Sequence, residues 1–366
     1  MHVNWNDVAE HVVAGGTITR DDARAILAVD DLEILELTAA AFRVRRHFFG
    51  TAVKLNYLVN AKSGACPEDC NYCSQSKIST ADIEKYRLMS TDDIVAGARR
   101  AAQLKASTCC IVLSGRGPNR FEVDRVAEAT RTIKEEFPDL RIFACMGLLR
   151  DDQAEALREA GVDRYNHNIN TNADNYASIC STHTYDDRVD TVRTSARAGL
   201  SPCSGVIVGM GETAEDLVDM AFELRAIGAH SIPVNFLLPI EGTPLETAPQ
   251  PMTPRDCLRT LALFRFVCPD AELRVSAGRE PHLRTLQPMS LYIANALFIA
   301  DYLTTEGQSP RLDWQTIEDL GFTIEPMGGG AGDASGEASE RNAKRDRHHD
   351  WRHERREQRR AFVYAG

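Results

Sequence analysis

No stretch of this 366-residue chain approaches the roughly 18 consecutive apolar residues that a membrane span needs, and Met1–Gly16 lacks a basic region followed by an apolar run. A spanning or secreted protein is not expected, and the compartment implied is the cytoplasm. Positive charge is also short. Lys and Arg number 42 against 53 Asp and Glu, a formal net charge of -11. That balance argues against general nucleic-acid binding, which needs a basic face to release counterions from phosphates. Aromatic residues make up only 7%, yet 43% hydrophobic and 26% charged residues are ordinary for a globular protein, so a core is expected. The length suits one large α/β barrel or two smaller domains. Cysteine, by contrast, is plentiful. Ten of them in a long chain without a leader suit metal or redox chemistry better than a disulfide framework.

The first fifty residues read as helices. Thr19 to Val29 opens with a Thr-x-x-Asp cap, and Asp31 to Phe48 carries apolar residues at helical spacing, which suggests a lid or flank over 1–50. From Val53 onward short β-rich runs alternate with helical stretches, the pattern of a parallel sheet with crossover helices. The runs are Leu55–Asn60, Cys109–Ser114, Arg141–Met146, Asp163–Asn168, Cys203–Val208, Ser231–Leu237, Glu272–Ser276 and Ala296–Ala300. Eight strands predict a closed (β/α)8 barrel of the TIM type over 51–326. The Rossmann glycine fingerprint is missing after the first of them, which counts against a doubly wound open sheet. Helix ends are marked by Ser90-Thr-Asp-Asp93 and by Ala160-Gly161. Beyond Phe322 the composition changes, and a glycine-rich spacer from Met327 followed by Arg-, His- and Glu-rich sequence reads as a flexible charged tail over 327–366.

The strongest motif is Cys66-Pro-Glu-Asp-Cys70-Asn-Tyr-Cys73, just after the first predicted strand. Three close thiolates can hold three irons of a 4Fe-4S cluster. A structural zinc site would want four ligands, and this segment offers no fourth Cys or His. The open iron can be chelated by S-adenosylmethionine for one-electron cleavage to a 5′-deoxyadenosyl radical. A zinc loop or an iron–sulfur electron carrier is the reading from another class, and the absent fourth ligand disfavours both.

The segment Lys62–Ser76 resembles the signature of the biotin synthases, a branch of the radical S-adenosylmethionine (SAM) superfamily. The resemblance continues through Tyr165-Asn-His-Asn168, Cys203–Thr213 and Val275–Glu280, and runs from about Arg43 to about Thr305. It implies a (β/α)8-barrel homodimer that inserts sulfur into dethiobiotin to form biotin. It also implies an electron donor of the flavodoxin or ferredoxin type and supply by iron–sulfur assembly machinery. A second, 2Fe-2S cluster deep in the barrel is implied as sulfur donor, with Cys110, Cys145, Cys203 and Arg274 as its ligands. These fall in the second, third, fifth and seventh predicted strands, so inward side chains could converge. Taken singly each cysteine is better read as a packing residue, and so are Cys109, Cys180, Cys257 and Cys268. By strand alternation Cys109 points away from Cys110. Another radical SAM cofactor-assembly enzyme is the alternative within the superfamily, and such relatives need not retain the inner set together.

For S-adenosylmethionine the resemblance implies Tyr72, Asn170, Arg188 and Glu212. Glu212 would accept from the methionyl ammonium and Arg188 would pair with the carboxylate, although Arg188 reads equally as a surface salt bridge. The family more often has an acidic residue at 170 to bond the ribose, so Asn170 keeps an acceptor but loses a charge. Asn168 and Asn235 are implied to contact the ureido ring of dethiobiotin. Asn166, Asn168 and Asn170 alternate along one face, and His167 is placed on the opposite one.

Overall fold

The computed structural model describes residues 3–247 and 252–329, so the expected tail from 330 onward lies outside the described residues. The strands are β1 (Ala52–Lys62), β2 (Thr108–Leu113), β3 (Arg141–Cys145), β4 (Arg164–Asn166), β5 (Ser201–Cys203), β6 (Val206–Val208), β7 (Ser231–Phe236), β8 (Glu272–Val275), β9 (Ala296–Phe298) and β10 (Thr323–Ile324). Neighbours pair in parallel from β1 round to β9, and β9 returns to β1 through Lys54↔Ala296 and Leu55↔Leu297. This closure makes the expected eight-stave barrel. The fifth stave is broken, because β5 and β6 are separate strands that both pair with β7. At the break a Cβ on Gly205 would lie 1.9 Å from the Pro233 carbonyl oxygen, so only glycine lets the two staves approach.

The helices are α1 (Trp5–Val13), α2 (Arg20–Leu27), α3 (Ile34–Phe49), α4 (Thr91–Gln103), α5 (Arg120–Glu136), α6 (Asp151–Glu159), α7 (Tyr176–Ile179), α8 (Tyr185–Arg197), α9 (Ala214–Ala226), α10 (Pro254–Val267), α11 (Arg279–Leu283), α12 (Gln287–Ile293) and α13 (Pro310–Asp319). Local signals set their ends. Thr19 and Asp22 close a capping box on α2, Ser90 accepts from the Asp93 amide at the start of α4, and Gly161 takes φ +97° after α6.

Helices α1–α3 belong to the strand-start end of the barrel and do not cover the opposite mouth. Helix α3 packs on α10 and α12, and α2 on α9 and α10. The fully buried Arg45 of α3 donates to the carbonyls of Gly50, Ala52 and Ala294, which lie where β1 and β9 begin. Strand β10 was not foreseen. It pairs in parallel with Ala52 and Val53, and Phe322 before it stacks on Phe42. Alternation on β2 divides the core as expected: Cys109 joins the layer between sheet and helices, while Cys110 joins a lumen cluster with Val112, Phe143 and Phe298.

Candidate active site

Beyond β1 the chain forms a long loop whose Cys66, Cys70 and Cys73 line a cavity of about 350 Å³ at the strand-end mouth. Backbone geometry fixes the loop. The Cys73 amide donates to the Cys70 carbonyl at 3.1 Å, the Ser76 amide to the Cys73 carbonyl at 3.1 Å, and the Lys77 amide to the Glu68 carbonyl at 2.9 Å. Glu68 accepts from the Thr182 hydroxyl at 2.6 Å and contacts His183 Nδ1. Asp69 accepts from the Ser181 hydroxyl and amide, and these bonds hold its carboxyl well below the usual range. Burial pushes the Cys73 thiol up to about 11 and that of Cys66 upward as well. Cys70 moves the same way, first through its contact with the Cys180 thiol and then through burial. Three thiolates can therefore coexist here only with positive charge among them, which is what an iron–sulfur cluster supplies. The donor set fits that group.

A second thiol set lies further down the lumen. Cys110 packs with Phe143 and Phe298, and Cys145, which also lines the cavity, packs against that cluster. Cys203 is held in register with Asn166 across β4 and β5. Arg274 is fully buried, with its guanidinium carbon 5.4 Å from the Phe143 ring centre and 4.9 Å from that of Phe298. Its Nη2 donates to Ser231 Oγ at 3.0 Å and to Glu272 Oε1 at 2.7 Å, while its Nε has no partner. Burial raises the thiols of Cys110, Cys145 and Cys203, and Arg274 opposes the shift at Cys110 and Cys203.

Glu272 also accepts from Lys54 Nζ at 2.8 Å and Arg164 Nη1 at 3.0 Å, and Lys54 lies 3.6 Å from Glu325. Three buried cations, Lys54, Arg164 and Arg274, thus converge on the one buried carboxylate of Glu272, with the partly exposed Glu325 beside Lys54. A buried positive excess of this kind needs an anion beside it. A 2Fe-2S core on three thiolates carries net negative charge, so this set fits its group too. Sequence reasoning missed Glu272, because an acidic residue two positions before Arg274 shows its partners only after the strands close.

The remaining expectations divide. Tyr72, Asn168, Asn170, Arg188 and Asn235 all line the same cavity. Arg188 is buried rather than on the surface, which excludes the salt-bridge reading. It donates to the Asn168 carbonyl at 2.7 Å, to the Tyr176 hydroxyl and to His183 Nε2, none of them a carboxylate. Asn170 sits at φ +67° and donates to the Tyr72 hydroxyl. Asn168 Oδ1 accepts from the Gly205 amide at 3.1 Å, and Asn235 Nδ2 donates to the Val206 carbonyl at 3.0 Å. Glu212 differs from expectation. It does not line the cavity, and its carboxylate accepts from the amides of Gly209 and Met210 in its own loop.

His167 corrects the alternation argument. Strand β4 ends at Asn166, so the two-residue period no longer applies, and His167 lines the cavity beside Asn166 and Asn168. Burial and then the nearby Arg188 hold its imidazole well below the ordinary value, hence neutral. Cys180 is buried in the hydrophobic core, as read, but it also has polar neighbours. Its sulfur lies 3.7 Å from Cys70 Sγ and 3.3 Å from Asp69 Oδ1. Cys257 and Cys268 are buried in the hydrophobic core, as read.

Known proteins share extended similarity with this chain. Residues 61–224 match the Radical SAM superfamily, and residues 233–323 match the Biotin and Thiamin Synthesis associated domain. The biotin synthases of Bacillus cereus (strain AH820) and Bacillus anthracis are each 56% identical over 322 residues, covering 88% of this chain and 96% of theirs. That of Bacillus mycoides (strain KBAB4) is 55% identical over the same span. Among solved structures, methylornithine synthase superposes with a TM-score of 0.76 at 21% identity, over 91% of this chain and 99% of its own. The FeFe-hydrogenase maturase of Carboxydothermus hydrogenoformans gives 0.73 at 17%, over 87% and 78%. At those identities the two structures speak for the fold alone.

Proposed function

The chain belongs to the biotin synthase family of radical SAM enzymes, and from that premise we propose that it inserts sulfur into dethiobiotin to give biotin. The observation that carries the reading is one lumen with two thiol sets, Cys66/Cys70/Cys73 at the mouth and Cys110/Cys145/Cys203 with Arg274 beneath. The first set would hold a 4Fe-4S cluster and the second a 2Fe-2S cluster. When bound, the clusters supply the electron that cleaves S-adenosylmethionine and the sulfide that enters the product.

The protein's own part is placement and exclusion. Arg188, held without a carboxylate partner, directs its charge into the cavity, where the methionyl carboxylate of S-adenosylmethionine would complete it. Tyr72 and Asn170, bonded to each other, form a wall for the nucleoside. Asn168 and Asn235 are oriented by backbone bonds, which fixes their amides toward a ureido ring whose N–H groups and carbonyl they can match. With its carboxylate spent on two loop amides, Glu212 would reach the methionyl ammonium only by exchanging those bonds. His167 is neutral and adds no competing charge. Val112, Phe143 and Phe298 keep the deep lumen apolar, so a carbon radical formed there meets little water. No acid–base pair could replace this route, because the C–H bonds attacked are too weakly acidic for a general base.

The reading includes a homodimer working in the cytoplasm with a flavodoxin- or ferredoxin-type electron donor and iron–sulfur assembly machinery. It is tested by anaerobic reconstitution with labelled sulfide, dethiobiotin and a supplied reductant, followed by Mössbauer spectroscopy and mass spectrometry. Two cluster types and labelled biotin are expected. A single cluster type, or biotin without label, would sink it.

A further inference from the structure

Cys180 belongs to neither ligand set, yet its sulfur is held 3.7 Å from that of Cys70. Two chain segments keep it there. The Asn71 amide donates to the Ile179 carbonyl at 2.9 Å, Asn71 Nδ2 donates to the Ser178 carbonyl at 2.9 Å, and the Ser181 amide donates to Asp69 Oδ1 at 2.9 Å. The loop around Cys70 and the segment that follows α7 are therefore joined on both sides of the sulfur pair. A disulfide needs the sulfurs about 2.05 Å apart, so the pair must close by roughly 1.7 Å.

A metal ion is the rival use of this cluster, since ligand atoms of Cys70, Cys180 and His183 lie within 4.8 Å of one another. The histidine argues against it. Its Nδ1 meets Glu68, its Nε2 lies 2.7 Å from the Tyr176 hydroxyl, and the Arg188 guanidinium donates to Nε2 at 3.1 Å. Both ring nitrogens are engaged, with a cation beside them.

We propose that Cys70 and Cys180 are a reversible disulfide site of the cluster-free chain, oxidised by low-molecular-weight disulfides of the glutathione class. One cysteine thiolate attacks the small disulfide and expels one thiol, leaving a mixed disulfide. The second cysteine thiolate attacks that bond and expels the other thiol. The two cysteines lose two protons and two electrons, and the oxidant is reduced to two thiols. Tied in this way, Cys70 is kept off the irreversible steps of sulfur oxidation, and the loop retains only Cys66 and Cys73 as ligands. Loading of iron then waits on a reductant. This consequence, though not the disulfide itself, rests on Cys70 being a cluster ligand.

The test uses the full chain freed of metal by chelation and held anaerobically with oxidised glutathione, then acid-quenched, alkylated, digested and mapped by mass spectrometry. A Cys70–Cys180 cross-linked peptide is expected as the main product, with loss of iron uptake at the loop until dithiothreitol is added. In Cys180→Ser and Cys180→Ala, with melting temperatures checked against the parent, Cys70 should instead carry glutathione. The proposal is overturned if Cys70 pairs with Cys66 or Cys73 or stays unmodified. It is equally overturned if chain prepared without chelator retains stoichiometric zinc that masks Cys70 and Cys180. A cross-link that forms while iron uptake is undiminished would uphold the disulfide and instead refute Cys70 as a cluster ligand.

Discussion

Glu272 shows how a side chain that never meets substrate can decide whether a site forms. It is the shared acceptor of Lys54, Arg164 and Arg274 in a fully enclosed network. Glu272→Gln should lower unfolding stability by about 3–5 kcal/mol in a urea titration, because removing one partner strands buried charge. Adding Lys54→Met should recover part of that loss, while the visible spectrum of the inner cluster stays altered because Arg274 still lacks its charged partner. A normal spectrum in the double variant would deny Glu272 a positioning role. The thiols give sharper divisions. Cys70→Ala should abolish 5′-deoxyadenosine formation and leave the inner cluster's absorbance, and Cys145→Ala should do the reverse, with cleavage persisting at a reduced level and no biotin by mass spectrometry. Biotin at near parental yield from the latter would refute the inner set as sulfur donor. Cys66, Cys70 and Cys73 were legible because their spacing is local. Glu272, His183 and Cys180 were not, since each has an ordinary identity that acquires meaning only from partners on other strands and loops.

Strands and helix caps were legible for the same reason, as hydrophobic period and capping residues act over a few positions. The fifth stave was read as one run, Cys203–Val208, because its apolar pattern is continuous, and the chain nevertheless breaks there against Pro233. Gly205→Ala should destabilise the barrel by about 1–3 kcal/mol or more, since backbone must move to admit the methyl group; an unchanged melting temperature would contradict that contact. Between α2 and α9, Glu215 accepts from Arg24 and Arg20, and these bonds lower its carboxyl from 4.5 to about 2. A depressed carboxyl contributes stability that is present above its unfolded value and lost as pH falls. Docking of α2 should therefore weaken between about pH 4.5 and pH 2 in the parent chain and be weak throughout in Glu215→Gln. Amide exchange of α2 measured across that range would show it, and identical profiles in the two chains would exclude the pair as the cause.

For the whole molecule, closure of the sheet brings residues from 66 to 274 into one lumen, which no local pattern in the sequence encodes. Only the family resemblance tied Arg274 to three distant cysteines before the register of β7, β8 and β9 was known. Counting metal tests the assembled whole: about six irons per chain are expected on full reconstitution, about two in Cys70→Ala and about four in Cys145→Ala. Any total near four in the parent chain would mean that one set stays empty. The short strand β10 carries a further consequence. It is bonded to the first two residues of β1, whereas the cysteine loop springs from the last. A strand of eleven residues advances about 3.3 Å per residue, so anything fused after residue 329 sets out roughly 35 Å from the mouth, on the far pole of the barrel. A chain truncated after residue 329 and tethered there to a bead or electrode should accordingly present the opening outward, with free passage for cofactor, substrate and redox partner.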